Sequence, residues 1–232
     1  MESNNIVLPI EPENLLLYHG SMGIKGNSIE IHSNEGVGWN SLTLGDAFYT
    51  SPCLDASKLF SHMVLVKNNL MGGEREENMG FAKVYQIKLN NDIKILDAGA
   101  TLDANVVRGV LLYAGVPEKY LNFRNDDQLE DFYKFADLLC YGFNWEGNRN
   151  EYLTKALGYD ALMIRERAWQ DWDYFPDDIG IDWDNTEILS EWPPKTLAIY
   201  HPQKISGFEL YINGMIKESE NQIDSSNDSL SR

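Results

Sequence analysis

Leu15-Leu16-Leu17-Tyr18-His19-Gly20-Ser21 and, beyond a glycine- and asparagine-rich interval, Gly45-Asp46-Ala47-Phe48-Tyr49-Thr50-Ser51-Pro52-Cys53-Leu54-Asp55-Ala56-Ser57-Lys58-Leu59-Phe60 decide the reading of the fold. The apolar run before His19 predicts a short buried strand ending at a glycine turn. Between the two stretches, residues 22–46 hold Gly23, Gly26, Gly36, Gly38 and Gly45 with Asn27, Asn34 and Asn40, which is loop chemistry. Ala47–Thr50 predicts a second short strand and Pro52 punctuates it. Asp55 then caps a helix to about Val66, with Ala56, Leu59, Phe60 and Met63 on one face.

Working outward, residues 67–80 read as a mobile, glycine-rich charged loop. Val84–Leu89 alternates as a strand does, and Ile93–Leu96 follows the Asn90-Asn91-Asp92 turn. Helical patterns span 103–113, 127–141 and 151–157, the last stopped by Gly158. Strands are predicted at 160–164, 197–200 and 208–212. The strands lie too close together for regular βαβ crossovers, so the fold class is α+β rather than doubly wound. Residues 1–13 read as a loosely packed leader, 14–213 as one domain, and 214–232, nearly devoid of apolar residues, as a disordered tail.

The 232 residues carry 36 acidic and 19 basic side chains, a net charge of −17, with no clustered basic patch: Lys83, Lys88 and Lys94 are scattered among strands. Such a chain repels phosphate backbones, so nucleic acid is excluded as an expected partner and a basic protein surface fits better. No apolar run approaches the ~18–20 residues that span a bilayer, so no membrane partner is expected. The start lacks the basic flank and apolar core of a signal peptide. The two cysteines, Cys53 and Cys140, give no disulfide framework and read as small buried apolar residues of a protein made for a reducing cytosol. Four histidines without an i, i+4 pair offer no metal site, and Asp177, Asp178, Asp182 and Asp184 do not match a calcium loop. Neither a phosphate-binding Walker loop nor G-x-G-x-x-G occurs.

His19-Gly20-Ser21 at the first strand, with Gly45, Phe48 and Tyr49 leading into a helix that carries Ala56 and Phe60, resembles the diphtheria-toxin and poly(ADP-ribose)-polymerase branch of the ADP-ribosyltransferase superfamily. Its small bacterial toxin and effector members are the nearer likeness. The resemblance implies a split β-sheet core with helical insertions and NAD⁺ as substrate, with no metal. His19, Gly20, Ser21, Gly45 and Tyr49 would hold the dinucleotide. Tyr49 would stack on nicotinamide, Gly20's backbone would pair with the carboxamide at close approach, and His19 would hold a ribose hydroxyl. The glycosidic bond would break through an oxocarbenium-like state that a carboxylate stabilises.

Gly158–Ile164 and Leu197–Ile205 resemble the strands that flank the family's third motif, but Thr196 stands where its glutamate should fall. Either Glu187 or Glu191 would supply the catalytic acid, or Thr196 takes the position and catalysis is weak or absent; both glutamates also read as plain solvated loop charges. Between those strands, residues 168–192 hold four of the six tryptophans, Trp169, Trp172, Trp183 and Trp192, amid aspartates and glutamates. They read equally as target-docking anchors or as aromatics packed on their own domain. The function implied is an NAD-dependent mono-ADP-ribosyltransferase, a glycosyltransferase acting on a protein. Such an enzyme would serve as a toxin, effector or virulence factor, cytoplasmic or delivered into a host or rival cell. A non-catalytic NAD or ADP-ribose module, or an NAD glycohydrolase, is the alternative.

Overall fold

In chain order the elements are β1 (Leu17–Ser21), β2 (Phe48–Thr50), α1 (Leu54–Leu70), β3 (Lys83–Leu89), β4 (Ile95–Asp97), β5 (Leu102–Asp103), α2 (Ala104–Tyr113), β6 (Gln128–Leu129), α3 (Phe132–Leu138), α4 (Arg149–Ala156), β7 (Ala161–Arg165), β8 (Lys195–Ile199) and β9 (Ile205–Asn213). The computed structural model describes residues 10–21, 23–24, 29, 44–70, 83–124, 128–129, 132–142, 147–165, 179–184 and 192–214. The fold is α+β. One sheet has the order β1-β3-β9, a second β2-β8-β7-β4, and β5 pairs with β6 in a two-stranded ladder.

The four-stranded sheet is apolar on both faces, which explains the unbroken runs Ala161-Leu162-Met163-Ile164 and Leu197-Ala198-Ile199. One face meets the three-stranded sheet through Leu17, Tyr85 and Ile87 against Phe48, Ile95, Met163 and Leu197. The other carries Leu96, Leu162, Ile164 and Ala198 against Val107, Leu111, Phe135 and Leu153 of the helices. β4 and β7 are parallel, and the chain between them supplies the helical layer, as a parallel pair requires. Asp103 starts α2 by accepting the N–H groups of Asn105 and Val106, and Asn148 starts α4 by accepting those of Asn150 and Glu151.

Several expectations change. β1 does not end at Gly20 but runs on through Ser21, paired with β3 along its length. α1 extends past Val66 to Leu70, because no glycine or proline interrupts it there. The predicted helix 127–141 is split. Leu129 pairs with Leu102 in a strand, the helix starts at Phe132, and Leu139–Tyr141 tighten into a 3-10 turn. Its apolar spacing suits either structure, and the β5 partner decides. Cys140 is exposed and Cys53 half-buried, so neither is the buried apolar residue expected. Trp183 and Trp192 meet edge-to-face at 5.9 Å and pack with Leu59 of α1, Ile179 and Ile181. That placement favours support of the fold over docking for these two rings. Trp169 and Trp172 lie outside the described residues. Among the described residues no helix is long and apolar enough to cross a membrane.

Candidate functional site

Three strands converge at Ser51. Its N–H and C=O exchange 2.8 Å hydrogen bonds with Tyr18 of β1, a bridge that joins the two large sheets. Its hydroxyl donates to the Lys195 carbonyl at the start of β8, 2.7 Å away. The residue that follows β2 thus brings β1, β2 and the start of β8 to one place. Ser51 is not legible in the sequence, because a serine beside a proline signals only turn chemistry.

His19 sits just past that bridge. Its Nδ1–H donates to the Tyr49 carbonyl at 2.7 Å, and its ring stacks on Phe48 with centroids 4.3 Å apart. Part of the side chain stays open, yet the ring lies deep enough in protein that desolvation pushes its pKa down to about 4. The bond to Tyr49 opposes only part of that shift. At pH 7 the imidazole is therefore neutral. A carbonyl can only accept, so the single proton is on Nδ1, and Nε2 carries a lone pair that no described residue engages. That atom is suited to receive a hydroxyl.

Gly20 has a different reason from the one expected. A Cβ there would overlap the Ser57 carbonyl oxygen and lie 2.7 Å from the Ser61 nitrogen, so the missing side chain admits the backbone of α1, not a ligand ring. Ser57 secures the contact by donating its hydroxyl to the Tyr18 carbonyl at 3.0 Å. The backbone of Gly20 remains relevant, because strand alternation directs its N–H and C=O to the edge that Tyr18 presents to β2. Ser21 accepts the Gly23 N–H at 2.9 Å and so shapes the turn after β1. Ala56 is buried, and Phe60 packs beside Leu59 on α1.

Tyr49 is held at both ends. Its hydroxyl donates to the Gly45 carbonyl at 2.6 Å, and its ring packs against the helical-side core. Gly45 has φ +94°, which a residue with a Cβ adopts only with strain, and the added Cβ would also strike Glu151. Glu151 in turn accepts the Asp46 N–H at 3.0 Å. Nothing in the sequence near position 45 announces a partner more than a hundred residues away.

Thr196 is buried on β8 opposite Ile164. A carboxylate does reach the start of β8: Asp97, ion-paired with Lys195 at 3.1 Å. Glu187 and Glu191 lie outside the described residues. Beyond Gly45 and Asp46, a cleft of about 1180 Å³ opens between α2 and α4, lined among others by Gly109, Tyr113, Asn148 and Glu151. No group of three or more histidines, cysteines or carboxylates able to hold a metal occurs among the described residues. Comparison of the chain with family models, curated proteins and solved structures returned no match.

Proposed function

We propose that the junction of β1, β2 and β8 binds NAD⁺ and that the chain transfers ADP-ribose from it to a protein. The observation that carries this reading is the neutral His19, fixed through Nδ1 to Tyr49 with Nε2 left as an acceptor, where Ser51 gathers the three strands. A ribose hydroxyl donates to such a nitrogen, and the Gly20 backbone edge lies one residue further along the strand for an amide. Held this way, the dinucleotide is oriented for departure of nicotinamide. The net charge of −17 favours an acceptor protein with a basic surface.

A second reading, an NAD⁺-binding module without turnover, is favoured by Thr196. A buried threonine carries no charge to stabilise an oxocarbenium-like state. Incubating the full chain with labelled NAD⁺, with and without cell lysate, separates the readings. Label on protein supports transfer, released nicotinamide without label points to hydrolysis, and retained intact NAD⁺ points to the module. Neither binding nor turnover would sink the NAD⁺ reading altogether. If Glu187 or Glu191 is the acid, its glutamine variant keeps NAD⁺ binding and loses on the order of 10²-fold in turnover. Unchanged turnover in both variants removes the glutamates from the chemistry.

A further inference from the structure

The Tyr49–His19 pair is fixed at one end by β1 and at the other by the turn Leu44–Asp46, which pairs with no strand among the described residues. Two struts hold it. Tyr200 donates its hydroxyl to the Leu44 carbonyl at 2.8 Å. Glu151 lies flat against Gly45, where a Cβ at residue 45 would come within 2.7 Å of the Glu151 Cβ, and its Oε2 accepts the Asp46 N–H at 3.0 Å. Glu151 is itself preset. Its backbone N–H is capped by Asn148, and its Oε1 receives Lys155 Nζ at 2.6 Å. The Gly45 carbonyl, oriented by this turn, takes the Tyr49 hydroxyl, and the Tyr49 carbonyl takes His19 Nδ1–H.

We propose that Glu151 is a positioning residue for the candidate NAD⁺ site, fixing the Gly45–Asp46 turn and through it Tyr49 and His19. The proposal rests on the NAD⁺ reading for its functional consequence, and on the hydrogen-bond chain alone for its structural one. The carboxylate acts through the turn and touches no substrate. A hydrogen bond to a charged acceptor holds the turn more firmly than a neutral one, since such bonds are roughly twice as strong.

The test uses the full chain with NAD⁺ as probe. Glu151→Ala is expected to weaken NAD⁺ binding about tenfold, the loss of one charge-assisted bond. Glu151→Asp keeps the charge but draws the carboxylate off the Asp46 N–H, and should lose as much. Glu151→Gln restores a neutral acceptor at the same reach and should recover part of the affinity, leaving a loss smaller than that of Glu151→Ala. Lys155→Met removes the ion pair that presets Glu151 but leaves the Asp46 bond, and should lose clearly less affinity than Glu151→Ala. A merely structural role predicts the reverse: melting temperatures fall in all four variants while affinity follows none of them. Parental affinity in both folded Glu151→Ala and Glu151→Asp, or equal loss in Lys155→Met, overturns the proposal. If the parent chain itself fails to bind NAD⁺, the functional reading is what has failed. The proposal is then decided by proton NMR. The Asp46 amide and the His19 ring titration should move in Glu151→Asp, and less in Lys155→Met, and unmoved signals in Glu151→Asp overturn it.

Discussion

Around His19, the β1–β2 junction leaves its side chains little freedom, while the cleft between α2 and α4, on the other side of the Gly45–Asp46 turn, leaves a great deal. At the junction Gly20 is filled by the backbone of α1, the Tyr49 hydroxyl is spent on Gly45, and His19 Nδ1 is spent on Tyr49. In the cleft a Cβ added at Gly109 or at Gly147 would meet nothing within 4 Å, and Tyr113 is 85% exposed. The same residue type therefore means opposite things in the two regions. A glycine under a packed helix is a steric requirement, and a glycine on an open helix face is a thermodynamic cost. Substituting one of each gives the comparison its sharpest test.

Gly20→Ala is expected to have the largest effect. The added methyl meets backbone atoms of Ser57 and Ser61, which cannot rotate away, so α1 must move off β1. Overpacking of this kind costs about 3 kcal/mol. In a domain of this size that lowers Tm by on the order of 10 °C. A thermal melt of Gly20→Ala that matches the parent would show that the helix is not seated where the junction needs it.

The second effect concerns pH. Burial lowers His19 from 6.5 to about 4 in the folded chain. Between those values the unfolded chain binds a proton that the native one refuses, so unfolding is favoured by protons. The His19 contribution is thus whole above pH 6.5 and is lost as pH falls toward 4. Carboxylates titrate in the same window, so the informative quantity is a difference. Denaturant unfolding of the parent and of His19→Gln at pH 7 and pH 5 should give a smaller pH-dependent loss in the variant. Equal losses would place the ring in water. If the proposed site is right, NAD⁺ affinity should hold through most of that range and fall only as pH nears 4, where Nε2 of the folded chain takes a proton and no longer accepts a hydroxyl.

These two residues also mark how far the sequence could be read. The Leu-Leu-Leu-Tyr-His-Gly run and the Gly45-x-x-x-Tyr49 spacing are local, and they place two strands and a helix start correctly to within a few residues. The reason for Gly20 is not local, since it lies in a helix some forty residues on. Ser51 joins β1 to β8 across a still longer separation, and Glu151 grips a turn 105 residues before it in the chain. Periodicity reports which face of an element is apolar, whereas the partner that meets that face is settled by tertiary packing. For the same reason the 127–141 pattern read as one helix, although Leu102 draws Leu129 into a strand.

Tyr49→Phe probes the junction more gently. It removes the hydroxyl bonded to the Gly45 carbonyl and keeps the ring in the helical-side core. The expected cost is about 1 kcal/mol. NAD⁺ binding should weaken several-fold if the turn orients the site, and calorimetry on the folded variant reads that directly. A variant that loses stability but binds NAD⁺ like the parent would confine the hydroxyl to the fold.

Gly109→Ala carries the smallest effect, and its sign differs from the others. Gly109 lies inside α2, outside the positive-φ glycines, and its missing methyl would enter open space at the cleft. A glycine in a helix interior costs ~1 kcal/mol relative to alanine, largely through the extra freedom it gives the unfolded chain. Gly109→Ala should therefore raise stability by ~0.5–1 kcal/mol, seen as a denaturation midpoint shifted upward with unchanged slope. The midpoint would fall instead if α2 were pressed against another segment at that point, and the cleft would then be closed. With Gly20→Ala destabilising and Gly109→Ala stabilising in one background, the two regions separate by sign rather than by degree. Parallel NAD⁺ titrations should leave Gly109→Ala unchanged, because a methyl on the far side of the Gly45–Asp46 turn touches neither Tyr49 nor His19.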